Sequence, residues 1–289
     1  MTNEAQKPTP KLAPTPAATT APTPAPHGHP FEWAVERGVA TLTLSRPEVL
    51  NALTFEVYAA LAKKLRDLRD DDEVKALVIT GAGRGFCSGG DVEGIIGALF
   101  DCDTRDVLEF TRMTGEVIEN LRRLDKPVIA AVNGTAAGAG AVIALACDLR
   151  VLADGAKFAF LFTKVGLTGA DMGAAWLLPR VVGLGRATEI LLLGDPVDAE
   201  TALRIGLASR VVPKDQVLAE AQALARRLAE GPTMSIGMTK RLLLHEQSMD
   251  FAAAIEVEAV AQALLLRAKD HRNFYDAYKA GKTAPFEGR

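Results

Sequence analysis

Two short apolar runs, each stopped by a glycine-rich turn, set the strongest limit on how this chain folds. The run VKALVIT, Val74 to Thr80, leads into GAGRGFCSGGD, Gly81 to Asp91. The run KPVIAAV leads into NGTAAGAGAVIALACD, Asn133 to Asp148. Apolar runs this short, bounded by turn residues, fit strands covered on both faces. Between them TRDVLEFTRMTGEVIENLRRL has helical spacing. The segment before them, WAVERGVATLTLSRP, reads as a hairpin turning at Glu36-Arg37-Gly38, with Val39 to Leu44 as its second strand. Thr54 is placed to cap a helix whose stripe is Phe55, Tyr58, Leu61, Leu65 and Leu68. CDLRVLA and KFAF read as further strands. After Gly173 the pattern is mainly helical: Arg186 to Leu193, Asp198 to Ile205, Lys214 to Leu228, Thr233 to His245 and Phe251 to Ala268. Strands alternating with helices, then a run of helices, predict an α/β fold with a C-terminal helical part.

Composition narrows the function classes. With 289 residues, 48% of them apolar, the chain can bury a large core. A net charge of −3 argues against general nucleic-acid binding, which leans on Lys and Arg. No apolar run reaches bilayer length and no signal-peptide pattern opens the chain, so a soluble, cytoplasmic protein away from membranes is expected. Three scattered cysteines and four histidines, His27 and His29 in the tail and His245 and His271 isolated late in the chain, give neither a disulfide framework nor a zinc pattern, and leave few places for a Ser-His-Asp triad. No metal site is expected. The first 26 residues are mostly Pro, Ala and Thr and are expected to be disordered, with folding beginning near Phe31.

The glycine turns suggest chemistry. Neither fits a dinucleotide fingerprint or a Walker loop. Two such turns at the ends of neighbouring buried strands would bring backbone N–H groups together. Convergent N–H groups stabilise charge developing on a carbonyl oxygen, by about 3–4 kcal/mol per donor. The competing reading is two tight turns with packing glycines.

RPEVLNAL, GRGFCSGGDV, NGTAAGAGAVIALACD and FTKVGLTGADMGAAWLLPR occur in that order, and the chain ends in FEGR. Together these resemble the crotonase family of enoyl-CoA hydratases and isomerases, over Phe31 to the C-terminus. The nearest likeness is to the ring-opening isomerases of aerobic phenylacetate degradation. The resemblance implies a spiral of ββα turns with a C-terminal helical region, assembled as a homotrimer or a dimer of trimers. It divides the chain into a tail (1–30), an acyl-CoA-binding and catalytic core (31–230) and a helical trimerisation region (231–289). The implied substrate is an acyl-CoA thioester, with no separate cofactor because coenzyme A arrives on the substrate. The implied oxyanion donors are the amides of Gly90 and Ala139. The coenzyme would run past Glu48, Val49 and Leu50 and the backbone of Cys87, Ser88, Gly89, Gly90 and Asp91. Lys282 and Phe286 would touch the coenzyme of a neighbouring subunit, or lie on the surface. From the residues themselves, Cys87 reads as a small buried thiol and Asp91 as a turn or cap residue.

The hydratases of this family hold water with two glutamates. The matching positions here are Val142 and Phe162, which can pack an acyl group but cannot move protons. One acid remains at a family catalytic position: Asp171, in VGLTGADMGAAWLLPR. A lone carboxylate in an apolar pocket, its pKa raised by desolvation, can take a proton from one carbon and return it to another. The alternative role for Asp171 is an N-cap for Gly173 to Leu178. Phe158, Phe160 and Phe162 alternate as if on one strand face, and Phe160 and Phe162, with Val142 and Trp176, are the candidate pocket walls. Three functions follow as expectations: enoyl-CoA isomerisation, hydration with Asp171 positioning water, or a non-catalytic acyl-CoA-binding scaffold.

Overall fold

The computed structural model describes residues 30–288; the Pro/Ala/Thr-rich segment, with His27 and His29, lies outside them. The chain starts as the anticipated hairpin. β1 (Glu32–Glu36) and β2 (Val39–Leu44) pair antiparallel with Glu36 opposite Val39. Arg37 and Gly38 turn it at φ 50° and 77°, the left-handed pair that a two-residue hairpin needs to match strand twist. The Thr54 hydroxyl accepts from Val57 N at 3.4 Å and opens α1 (Phe55–Asp67), which buries Val57, Tyr58, Leu61, Ala62 and Leu65. There follow β3 (Ala76–Gly81), α2 (Thr104–Arg123), β4 (Val128–Val132), β5 (Ala136–Ala137), α3 (Ala139–Ala146), β6 (Leu149–Ala153) and β7 (Lys157–Ala159). Then come α4 (Ala174–Val182), α5 (Leu184–Leu193), β8 (Val197–Asp198), α6 (Ala199–Arg204), β9 (Arg210–Val212), α7 (Val217–Ala229), α8 (Thr233–His245), α9 (Phe251–Leu266) and α10 (Lys269–Lys279).

The main sheet has six strands in the order β1-β2-β3-β4-β6-β9, and every pair after the hairpin is parallel. Every residue of β3 and β4 is buried, which is why these runs are continuously apolar and do not alternate. Across β3, β4 and β6 lies α7, burying Val217, Ala221, Ala225 and Ala229. This four-residue spacing of small side chains lets the helix approach the sheet closely. A second sheet, β5-β7-β8, is built from very short strands. Here the expectation for the phenylalanines is corrected. β7 stops at Ala159, and Phe162 belongs to a 3-10 turn, Leu161–Val165, so the three rings do not share a strand face. Phe158 and Phe160 stack at 6.3 Å, both with no exposed surface. The helix α10 was not anticipated; its sequence, KDHRNFYDAYK, is mostly polar and buries only Asp270 and Ala277. Among the described residues no helix is long and apolar enough to cross a membrane.

One approach positions the rest. Cys87 bridges to Ala136, and Ala137 N donates to the Cys87 carbonyl at 2.8 Å. This pins the first glycine turn beside β5, and α3 begins two residues after β5. All eight residues of α3 are buried and none is polar. A Cβ on Gly140 would lie 2.4 Å from the Cys87 carbonyl oxygen and 2.6 Å from its Cβ, so only glycine permits this seating. Gly140→Ala is expected to force helix and turn apart and to lower stability by about 1–3 kcal/mol, read from urea denaturation. An unchanged midpoint would mean that the contact relaxes without cost.

Candidate active site

The two turns meet. Leu53 N donates to Gly89 O and Asp91 N donates to Leu53 O, each at 2.8 Å, so the ladder steps over Gly90 and leaves its N–H without an acceptor among the described residues. In the second turn Gly138 N donates to Ala159 O and Val142 N donates to Gly138 O. Ala139, the first residue of α3, donates to nothing among the described residues. A Cβ built on Gly89 would stand 3.5 Å from the Ala139 nitrogen. Gly89 has φ 100° and Gly138 φ 50°, conformations that suit glycine, and both are needed to turn the chain here. Two unused N–H groups at the positive end of a helix can hold an anionic oxygen.

The RPEVLNAL segment is tied to the first turn by a residue whose role the sequence reading passed over. Asn51 is 1% exposed; its Nδ2 donates to the carbonyls of Ala82 and Gly85 at 2.9 and 3.0 Å, and its Oδ1 accepts from Arg46 N. Leu50 and Asn51 both take positive φ, 54° and 59°, which swings the preceding 3-10 turn (Pro47–Val49) outward. Glu48 and Val49 are exposed there, with Leu50 half-buried. Ser88 N donates to Leu50 O at 2.9 Å and its hydroxyl to Val49 O at 3.2 Å. Asp91 is the anticipated cap: Oδ1 accepts from Gly94 N at 2.9 Å and Oδ2 pairs with the Arg46 guanidinium at 3.0 Å. The Gly94 amide first, and Arg46 after it, hold its carboxyl below the usual range. Cys87 is the small buried thiol that its residue type suggested, and not the coenzyme contact that the resemblance implied. Its carbonyl and N–H are both used in pairing with the 135–137 segment and its side chain has no exposed surface, so it presents nothing to a coenzyme. Burial pushes its thiol up to about 12, that of an inert core cysteine.

Asp171 is not a helix cap. The cap position of α4 is Gly173, at φ 85°, with no side-chain bond. Asp171 Oδ1 accepts only from the neighbouring Met172 N, at 2.9 Å, while its backbone carbonyl accepts from Ala174 N. Met172 follows at φ 48°, a strained conformation for a residue with a side chain, so two consecutive left-handed residues turn the loop at the carboxylate. The carboxyl is half-buried, and burial raises its pKa; the Met172 bond opposes this only in part. No cation pairs with it among the described residues.

The sequence fits the enoyl-CoA hydratase/isomerase family over residues 34–289. The chain belongs to the enoyl-CoA hydratase/isomerase family. It is 39% identical over 259 residues to 1,2-epoxyphenylacetyl-CoA isomerase of Escherichia coli K12, covering 88% of this chain and 97% of that protein. It is 31% identical over 252 residues to crotonyl-CoA hydratase of Syntrophomonas wolfei, covering 87% and 95%. A solved structure from Streptomyces coelicolor A3(2), assigned as an enoyl-CoA hydratase, superposes with a TM-score of 0.89 at 50% identity, covering 95% of this chain and 100% of that one.

Within this hydratase/isomerase fold the candidate pocket walls divide. Val142 and Phe160 have no exposed surface; they are core residues and border no open space. Phe162 keeps 8%. Trp176 is 40% exposed on α4, with the Arg180 guanidinium 3.9 Å over its ring. It lines a cavity of about 570 Å³ shared with Arg150, Lys240 and Leu243, in which Asp171 has no part. Nothing in their residue types separates these four, because an apolar residue reads alike whether it faces core, cavity or solvent. Next to Asp171, Met172 is buried, and Ile118 lies 3.9 Å from a Cβ built on Gly173, two residues further on.

The raised Asp171 pKa fixes a sign. Below the ordinary carboxylate range the group is neutral in both states and costs nothing. As pH rises from that range through the folded pKa, folding must bury a growing charge. Asp171→Asn should therefore match the wild type near pH 3 and become more stable than it toward about pH 7. Paired denaturant titrations at the two pH values check this; a difference that does not grow with pH would contradict it.

Proposed function

We propose that the protein isomerises the double bond or ring of an enoyl-CoA, with Asp171 as the general acid and base. The reading is supported by a desolvated carboxylate that pairs with no cation among the described residues, and by two backbone N–H groups on neighbouring turns that donate to nothing among them. The thioester oxygen would sit between the amides of Gly90 and Ala139. The Asp171 carboxylate takes a proton from a carbon of the acyl chain; the electrons move toward the thioester and charge collects on its oxygen as an enolate. The same carboxyl then returns the proton to a different carbon, shifting the unsaturation. A raised pKa suits a group that must do both near neutral pH. The hydratase pair of glutamates has Val142 and Phe162 in its place, and a fully buried Val142 holds no water. The coenzyme runs past Glu48, Val49, Leu50, Ser88 and Asp91. The E. coli relative's name, an isomerase, agrees with this reading.

Residues 231–289 form the trimerisation region in this proposal, with the homotrimer or a dimer of trimers as the working unit. Its support is α9, in which only Glu256, Glu258 and Gln262 are polar, yet which buries only Ala261. Phe251, Ile255, Val260 and Leu264 are each at least half exposed, at 81%, 50%, 55% and 57%. So much bare apolar surface on one helix is characteristic of a subunit contact.

Asp171→Ala is expected to lower turnover of an enoyl-CoA by about a thousandfold while acyl-CoA affinity, read by calorimetry, stays near the wild-type value. Unchanged turnover would remove Asp171 from the mechanism. A shifted double bond without 3-hydroxyacyl product identifies the isomerase. Accumulating 3-hydroxyacyl-CoA would instead indicate hydration with Asp171 positioning water. Retained coenzyme binding with no turnover across a panel of enoyl-CoAs would indicate an acyl-CoA-binding scaffold.

A further inference from the structure

Gly90 carries one of the two unused amides, yet packing does little to fix it. A Cβ built on Gly90 would meet no other part of the chain within 4 Å, whereas one on Gly89 would meet the Ala137 carbonyl oxygen at 3.1 Å. The chain beyond it is mostly exposed: in the π-helical turn Val92–Gly97 only Ile95 is buried. The aim of the Gly90 N–H therefore depends on the two backbone bonds to Leu53 and on whatever ties that segment to Asp91. Arg46 makes the tie. Its Nη1 donates both to the Ala52 carbonyl at 2.8 Å and to Asp91 Oδ2 at 3.0 Å. Ala52 and Asp91 each adjoin a member of the Leu53–Gly90 bridge, so one guanidinium nitrogen spans it. The other Asp91 oxygen accepts from Gly94 N, which fastens the exposed turn to the same carboxylate. Arg46 is itself rooted. Its N donates to Asn51 Oδ1 at 2.9 Å and its carbonyl accepts from Asn51 N at 2.8 Å. The ion pair is partly shielded, with side-chain exposures of 28% and 18%, so solvent screens it less than a surface pair.

Donors of this kind act by being in place before charge develops; one that must first be moved loses part of its effect. An enolate oxygen also asks more of a donor than a neutral carbonyl does, because charge-assisted bonds are shorter and stronger. We propose that Arg46 is a positioning residue for the Gly90 amide, acting through Asp91 to keep that N–H aimed at the oxygen where charge collects. In this role Arg46 touches no substrate. The assignment rests on the oxyanion reading of the two amides, but not on Asp171 or on the direction of the chemistry. A tether and a bare charge differ here in sign. As charges alone, Arg46 would stabilise an enolate and Asp91 would destabilise it, so removing one or the other would have opposite effects. As a tether, losing either partner frees the Gly90 turn, and the two effects agree.

The probe is acetoacetyl-CoA, which loses a C2 proton to water at alkaline pH and leaves an enolate that absorbs in the near ultraviolet. The pH at which the bound thioester ionises compares the affinities of its enolate and keto forms, so a uniform loosening of the pocket cancels. It is read by spectrophotometric titration with the full chain in excess, for wild type, Arg46→Met, Asp91→Asn and Arg46→Lys. Wild type is expected to lower the midpoint below that of the free thioester. Arg46→Met and Asp91→Asn should each raise it by about one pH unit, a tenfold loss of preference for the enolate. Arg46→Lys, which can still reach one of the two acceptors, should raise it less. Should Arg46→Met not fold, Arg46→Lys and Asp91→Asn carry the same comparison. A midpoint that stays at the wild-type value in the variants would make the ion pair merely structural and overturn the assignment. Movement upward on changing Arg46 but downward on changing Asp91 would show a field of charges, and would overturn it too. A wild type that leaves the midpoint where it is in free solution, or does not bind the thioester, would overturn both the assignment and the oxyanion reading beneath it.

Discussion

The bare Cα of Gly140 against the Cys87 carbonyl is the contact on which the site depends. Hydrogen bonds from the 135–137 segment hold the first turn laterally, but they do not set how near α3 comes. That distance is set by a missing methyl group. With α3 seated, the Ala139 amide is delivered beside Gly89 and Gly90, and the apolar helix behind it excludes water from the same region. Amides are weak charges in water and strong ones in such surroundings. The close packing thus supplies both the donors and the low dielectric in which they act.

Two aspartates show how far environment divides one side chain. Asp91 accepts from a turn amide and pairs with Arg46, which keeps it charged and structural. Asp171 has one bond from its own neighbour, no cation and partial burial, which leaves its proton negotiable. They are close to opposite ends of what a protein can do to a carboxylic acid.

Much of this was readable before any coordinates. The hairpin turn, the Thr54 cap, both buried strands and the α8 boundaries follow from local pattern, because turn residues and continuous apolar runs carry their own geometry. The motif order pointed to the family and to Asp171. What failed was the interior of the site. Val142, Phe160 and Cys87 are core, and Trp176 belongs to another cavity. Sequence periodicity reports that a face is buried, not whether the burial is against protein or against a space left for ligand. The cap role of Asp171 failed for a different reason: the left-handed Met172-Gly173 pair moves the helix start past the reach of the carboxylate.

The parallel arrangement of β3 and β4 has a consequence in time. Their two turns are separated by about fifty residues of chain, and parallel strands cannot be joined by a short hairpin. Nothing local brings Gly90 to Ala139. The amide pair exists only after a long loop has closed and β3, β4 and β5 have all docked, which places its assembly late in folding. It should equally be among the first features lost when the strands part. A chain that still looks largely helical by spectroscopy can therefore already have lost its amide pair.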